Sequence, residues 1–154
     1  MAFDIWDTSS IAKLYLNERG SEWAALRASE HSVAHSRLVV PEFASVLARK
    51  AASGEISDED RHRLHEEYLS DATKFQIVEL TEELISLAAQ LLLDGTFGTR
   101  VRAGDGIHLA SAQWWFARLR DLNIEVGAFI VADRPLRHAA VMMGLSVENP
   151  EDYE

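Results

Sequence analysis

Short apolar runs alternate along this chain with segments of helical spacing, and that alternation restricts the fold more than its composition does. The runs lie at 2–6, 32–40, 75–80, 126–132 and 145–148. Strands that alternate with helices need crossover connections, which produce a mainly parallel sheet with helices on both faces. A length of 154 residues suits one packed core but not two ordinary domains. We therefore predict an α/β fold with a single domain, residues 1–154.

The same patterns predict most of the helices and several of their ends. A polar helix begins after Ser57, and an apolar helix that Thr81 caps reaches Leu93. Gly95 and Gly98 mark the loop that follows. Further helical segments are predicted at 11–16, 41–54, 106–120 and 136–143.

The second apolar run leaves the boundary between strand and helix open. Either residues 37–40 form the strand and Pro41 is the first helical residue, or residues 33–35 form the strand and Ser36 caps a helix that Pro41 kinks. Both alternatives place Glu42 near a helix start.

Net charge and residue usage exclude several classes of protein. The formal net charge of −10 argues against a broad basic surface for nucleic acid, so metal ions would have to mediate any such binding. The absence of cysteine excludes disulfides and thiolate metal sites and suits a reducing compartment. The sequence has no signal-like N-terminus and no apolar run of about 20 residues. We therefore expect a cytoplasmic protein without a membrane segment.

Four acidic residues stand at or near predicted helix starts: Asp7, Glu42, Asp105 and Asp133. Aspartate is among the best N-capping residues, so capping alone is the simpler interpretation of each aspartate taken singly. Glutamate caps poorly, although the helix dipole favours an acid in the first turn. In a parallel α/β sheet the junctions from strand to helix share one edge, where ligands bind, so all four carboxylates can converge there.

Such convergence is costly, because like charges within about 4 to 6 Å raise one another's pKa values and destabilise the fold. A cation normally occupies a cluster of this kind, and oxygen ligands alone suit Mg²⁺ or Mn²⁺. His108 shares a helical face with Asp105 and lies within reach of such a site, although a packed or surface histidine is the commoner case. No Gly-rich phosphate loop or nucleophile elbow is present, which argues against NTPases and serine hydrolases.

Four segments resemble the signature blocks of PIN-domain nucleases, and most of all those of the VapC toxins of bacterial and archaeal toxin–antitoxin pairs. They are IWDTSSIAKLYLNERGS, VVPEFASVLARKAASGEIS, RAGDGIHLASA and FIVADRPLRHAAVMMGLSVENP. Their order and spacing agree across essentially the whole chain. The resemblance implies a three-layer α/β/α sandwich around a mainly parallel sheet.

The resemblance also implies roles for individual residues. The implied catalytic and metal-holding residues are Asp7, Glu42, Asp105 and Asp133. Thr8 and Ser9 would order the site through hydroxyl hydrogen bonds. The chain departs from the family at Val131, where Thr or Ser is common, and at Gly106, where alanine is usual and would start the helix better.

From the resemblance we expect an endoribonuclease that depends on Mg²⁺ or Mn²⁺ and hydrolyses RNA with a metal-activated water, leaving 5′-phosphate and 3′-hydroxyl ends. The implied partners are a cognate antitoxin, an RNA substrate and a second copy of the chain in a homodimer. Candidate phosphate contacts are Arg100 and Arg102, with Arg134 and Lys13 also near the blocks. The alternatives are a non-catalytic PIN-like protein that binds RNA or a partner, and a DNA-directed nuclease or a phosphatase on the same scaffold.

Overall fold

The computed structural model describes residues 1–94, 97 and 100–153, and it contains five strands and seven α-helices within them. In chain order these are β1 (Phe3–Trp6), α1 (Thr8–Ala12), α2 (Ser21–Glu30), β2 (Ser32–Ser36), α3 (Val39–Ala52), α4 (Asp58–Ala72), β3 (Gln76–Val78), α5 (Glu82–Leu93), α6 (Ala103–Asp121), β4 (Val126–Ile130), α7 (Arg134–Met142) and β5 (Val147–Glu148). A 3₁₀ turn, Pro150–Tyr153, follows β5. The two glycines of the predicted loop, Gly95 and Gly98, lie outside the described residues.

The five strands form one sheet in the order β3-β2-β1-β4-β5, and every neighbouring pair is parallel. Side chains alternate across the sheet. Ile5 and Phe129 pack in the core beneath α5, α6 and α7, whereas Trp6 and Ile130 pack in the core beneath α1 to α4. Helices therefore cover both faces of a parallel sheet, which confirms the predicted α/β/α sandwich.

The structure decides between the two alternatives for the second strand. The strand is Ser32–Ser36, so the alternative that placed it at 37–40 is wrong. Helix α3 begins at Val39, two residues before Pro41, and continues through the proline. Pro41 lies in the first turn, where backbone N–H groups have no intrahelical acceptor, so its missing donor costs nothing there. Helix α3 continues from Val39 through Pro41 to Ala52 as one helix.

Helix α2, Ser21–Glu30, was not predicted from the sequence. Its signals are weak because Ala24 is its one buried residue, and Gly20 precedes it without a side-chain capping bond. The helix is held by tertiary contacts, such as those of Arg27, rather than by an amphipathic stripe. No helix in the described part of the chain is long and apolar enough to cross a membrane.

The sheet order brings the ends of the two central strands together. Strand order reverses between β1 and β4, and such a point is where open parallel sheets bind ligands. Asp7 directly follows β1, and Asp133 lies three residues after β4. Glu42 is the fourth residue of α3, and Asp105 is the third residue of α6. All four predicted acids thus start from the same edge of the sheet.

Candidate metal centre

The four predicted acids line a single open cavity of about 430 Å³. Each comes from a different junction, after β1, at the start of α3, at the start of α6, and after β4. The other lining residues are Thr8, Ser9, Ser45, Val46, Arg49, His108 and Leu136. Convergence of the carboxylates, which the parallel topology made possible, is therefore present in the structure.

Asp7 is the most deeply buried of these acids, with 3% of its surface exposed. Its carboxylate caps α1 by accepting the Ser10 N–H at 2.9 Å, and it also accepts the Ser9 hydroxyl at 2.8 Å. Burial raises the pKa of Asp7, and the charge of His108 together with these hydrogen bonds offsets only part of the rise. Capping is thus a correct interpretation of Asp7, yet it leaves the negative charge without an ion-pair partner among the described residues.

Ser9 joins the loops that follow the two central strands. Its hydroxyl donates to Asp7, and its oxygen accepts the backbone N–H groups of Ala132 and Asp133, each at 3.2 Å. Val131, which stands where the family often has Thr or Ser, is fully buried. The backbone N–H groups of the loop after β4 therefore donate to the Ser9 hydroxyl instead of to a hydroxyl at position 131.

Glu42 is held through one of its two carboxylate oxygens. Oε2 accepts the Thr8 hydroxyl and lies 2.7 Å from Nε2 of His108, which is buried. Burial would raise the pKa of Glu42, but the hydrogen bond and charge of His108, with the Thr8 hydrogen bond, lower it below its ordinary value. The other oxygen, Oε1, packs against the backbone at Gly104, where an added Cβ would lie 3.0 Å away. Glycine at this position therefore lets α6 approach Glu42 closely.

Asp105 and Asp133 lie nearer to solvent. The Asp105 carboxylate accepts the Arg102 N–H at 2.8 Å, and the Asp133 carboxylate caps α7 by accepting the Leu136 N–H at 3.0 Å. Burial raises the pKa of Asp105, and the negative charges of Asp133 and Glu42 raise it further. The acids are thus close enough for mutual repulsion to be felt at Asp105.

The donor set fits a hard divalent cation in its chemistry. The acids offer carboxylate oxygens, which Mg²⁺ and Mn²⁺ prefer. Burial is the main cause of the raised pKa of Asp105, and the negative charges of Asp133 and Glu42 add to it. Among the described residues, however, no three carboxylate or imidazole groups stand close enough together to hold an ion as they are arranged. Ion binding therefore requires the carboxylates to turn inward from their present hydrogen bonds.

The basic residues proposed from the sequence lie outside this cavity. Arg100 and Arg102 are exposed and are not among its lining residues. Lys13 is buried and forms an ion pair of 2.8 Å with Glu151. Arg134 lines a separate hollow beside α7.

Two ionisable residues that line the cavity were not selected by the sequence analysis. Arg49 was not considered, although its spacing of seven residues from Glu42 places the two on one face of a helix. His108 was considered and set aside in favour of a packing role. Both were missed because spacing within a helix does not reveal which face of that helix meets the site.

Comparisons with known proteins agree with the fold. A family model for the PIN domain matches residues 5–125, which include three of the four acids. No curated protein matches the sequence. Similar solved structures include VapBC2 from Rickettsia felis bound to a promoter DNA fragment, with a TM-score of 0.63, 13% identity, and coverage of 96% of this chain and 98% of that chain.

Two further structures share the fold at similarly low identity. A toxin–antitoxin complex from Klebsiella pneumoniae has a TM-score of 0.61, 17% identity, and coverage of 96% of this chain and 97% of that chain. VapC20 from Mycobacterium tuberculosis, described as a sarcin–ricin loop cleaving toxin, has a TM-score of 0.56, 18% identity, and coverage of 79% and 84%. At such identities the likeness shows the fold alone. Because the family model spans most of the sequence, the chain belongs to the PIN-domain family.

Proposed function

We propose that this protein is a divalent-metal-dependent endoribonuclease and the toxin of a toxin–antitoxin pair. The observation that carries the proposal is the gathering of four carboxylates from four separate junctions in one cavity. Like charges gathered in one cavity destabilise a fold unless a cation compensates them. Membership of the PIN-domain family supports the same activity.

Seven of the side chains that line the cavity have a stated role in this proposal. The residues that would hold Mg²⁺ or Mn²⁺ are Asp7, Glu42, Asp105 and Asp133. When bound, the ion would lower the pKa of a water molecule and neutralise charge that develops on the phosphate. Ser9 orients Asp7 and fixes the loop that carries Asp133. Thr8 and His108 orient Glu42 through Oε2 and leave Oε1 without a hydrogen bond from any described residue.

The toxin role and the partners rest on the structural relatives. A toxin–antitoxin complex and a toxin that cleaves an RNA loop share the fold over most of their length. We infer that a small antitoxin inhibits this protein by placing an arginine among the carboxylates, where charge-assisted hydrogen bonds would substitute for the metal. We also infer a homodimer as the working unit.

Cleavage assays with purified protein test the activity. RNA, single-stranded DNA and flap substrates are compared with Mg²⁺, with Mn²⁺ and with EDTA. We expect metal-dependent cleavage of RNA that leaves 5′-phosphate ends, and its loss in Asp7→Asn and Asp105→Asn. Asp58→Asn is a matched control, because Asp58 is 82% exposed on α4, which does not line the cavity.

Three outcomes would change the proposal. Normal cleavage by the Asp7→Asn and Asp105→Asn variants would show that the carboxylates do not carry the reaction. Cleavage of DNA in preference to RNA would make the protein a DNA-directed nuclease on the same scaffold. Tight RNA binding without cleavage under any metal condition would indicate a non-catalytic PIN-like protein.

A further inference from the structure

We propose that Arg49 binds a phosphate group of the substrate beside the acidic cavity, and this inference rests on the proposed nuclease function. Helix α3 lines the cavity with Glu42, Ser45, Val46 and Arg49. These residues are spaced at i, i+3, i+4 and i+7, so they form one continuous face across two helical turns. The guanidinium therefore lies on the same face as a carboxylate of the candidate metal centre.

Arg49 is available to bind a ligand. Its side chain is exposed, and its recorded hydrogen bond runs from Nη1 to the Ser45 hydroxyl at 2.8 Å. Within residues 1–94, 97 and 100–153 it has no carboxylate at ion-pair distance. The next residue, Lys50, differs because it pairs with Glu18 at 2.9 Å and Glu55 at 2.8 Å. Of these two adjacent cations on α3, Lys50 is held in ion pairs, whereas Arg49 faces the cavity, where its charge contributes to lowering the pKa of Glu42 without a close ion pair.

A phosphate is the ligand that this arrangement favours. The cavity carries four acids, so a polyanion entering it meets repulsion that a metal ion would only partly offset. Among the described residues that line the cavity, Arg49 is the one arginine or lysine. A guanidinium offers a planar pair of donors that match two phosphate oxygens.

The charge of the neighbouring hollow indicates on which side of the cavity the bound RNA strand passes. A second hollow of about 320 Å³ shares Ser9, Val46 and Asp133 with the cavity, and Glu18 and Glu151 also line it. Its lysine is already paired with Glu151. Because that side is acidic, the nucleic acid backbone is repelled there and passes on the side of α3 that carries Arg49.

Binding of RNA in the absence of cleavage tests this role. Asp105→Asn is introduced into the full chain to prevent cleavage, and Arg49→Gln, Arg49→Lys and Arg120→Gln are each added to it. Binding of a labelled mixed-sequence single-stranded RNA to each double variant is then measured by fluorescence anisotropy over a range of salt concentrations. Arg120→Gln is the matched control, because it removes the same positive charge as Arg49→Gln but at a position about 22 Å along α6 from Asp105. Mn²⁺ binding to each Arg49 and Arg120 variant is measured by calorimetry without the Asp105 substitution.

We expect Arg49→Gln to raise the RNA dissociation constant about tenfold and to reduce the salt slope of binding by about 0.7, the value for one phosphate contact on a single strand. Arg49→Lys should keep the salt slope, and Arg120→Gln should change neither quantity. Mn²⁺ affinity should not fall in any of them. Equal effects of Arg49→Gln and Arg120→Gln would overturn the role of Arg49 alone. Failure of RNA to bind the Asp105→Asn background at all would instead contradict the proposed nuclease function, and this inference with it.

Discussion

A buried aspartate lies near each end of strand β1, and the two aspartates have different hydrogen-bond and ion-pair partners. Asp4 is fully buried, and its carboxylate accepts two bonds from Arg27, from Nε at 2.7 Å and from Nη2 at 3.1 Å. It also accepts the Ala128 N–H at 2.8 Å. Asp7 is almost as deeply buried but receives only hydroxyl and backbone N–H donors.

The difference separates a charge that is paired within the fold from a charge that we propose binds a metal ion. At Asp4 the chain supplies its own cation, and Arg27 is in turn 3.2 Å from Glu148 on β5, so Arg27 ties α2 to central strand β1 and to edge strand β5. At Asp7 no described residue forms an ion pair, and burial raises the pKa of the carboxyl by more than the charge of His108 lowers it. An acid that is buried without compensation by its own fold is available to a cation from outside.

The two aspartates should differ most in their effect on RNA cleavage. Asp7→Asn should lower metal-dependent RNA cleavage by more than about a hundredfold, because it removes a proposed metal ligand while asparagine keeps the capping bond to Ser10. Asp4→Asn should leave cleavage unchanged at temperatures where the protein is folded. Initial rates measured for both variants check this, and a similar loss in both would erase the distinction between the two aspartates.

The reverse ranking is expected for stability. Asp4→Asn should lower the free energy of unfolding by about 3 kcal/mol, the lower end of the cost of breaking a buried ion pair, because Glu148 remains beside Arg27. That corresponds to a fall of roughly 10 °C in Tm. Asp7→Asn should not destabilise the metal-free protein. Thermal and urea unfolding in EDTA measure both, and an unchanged Tm for Asp4→Asn would show that the ion pair contributes no net stability.

A glycine beside Asp4 sharpens the comparison further. A Cβ at Gly127 would lie 2.1 Å from Asp4 Oδ1 and 2.8 Å from the Phe3 carbonyl oxygen, so Gly127→Ala should cost about 2 kcal/mol through overpacking. Gly106→Ala is the matched control. There the Cβ would meet both Cγ and Cδ1 of Leu92 at 2.8 Å, so the Leu92 side chain must shift, and the better helix propensity of alanine, about 1 kcal/mol, offsets part of this crowding. Urea unfolding that ranks Gly106→Ala as the more damaging change would contradict this account.

Gly106 also illustrates what the sequence could and could not predict. Comparison with the family suggested that Gly106 weakens a helix start, but the structure shows that it gives α5 and α6 room to pack. Helix α4 was predicted closely, because Ser57 accepts the Asp60 N–H in the way that their spacing indicates. Local hydrogen bonds are encoded by adjacent residues, whereas close packing between helices is not.

The site shows the same division. The convergence of the acids was predictable, because parallel topology fixes where the strands end, and two of them, Asp7 and Asp133, also have the capping role that their residue type favours. The spacing of His108 from Asp105 and of Arg49 from Glu42 was visible in the sequence, but only the structure shows that these faces of α6 and α3 meet at the cavity. Helix α2 was missed for a related reason, since the contacts of Arg27 with Asp4 come from distant parts of the chain.

The smallest expected effect concerns pH. The pKa of Asp105 is raised above its ordinary value of 3.8 by burial and by nearby negative charge, so the folded protein binds this proton more tightly than the unfolded chain. Metal-free wild-type protein should therefore lose stability as pH rises from 3.8 through the raised pKa. Asp105→Asn avoids that loss, since asparagine can still accept the Arg102 N–H.

The difference in Tm between Asp105→Asn and wild type should accordingly grow in favour of the variant from acidic to neutral pH, and excess Mg²⁺ should reverse it. Asp58→Asn again serves as the control, because Asp58 is exposed. A difference that stays constant with pH would show that Asp105 carries no excess repulsion.

We propose that the acids at the carboxyl edge of the sheet are left uncompensated because they hold a divalent cation. Anomalous diffraction from crystals grown with Mn²⁺ would locate this ion. We expect a manganese peak in the cavity lined by Asp7 and Asp105, lost in Asp7→Asn, and none beside Asp4. A cavity without manganese at saturating concentration, or a peak that persists in Asp7→Asn, would contradict it.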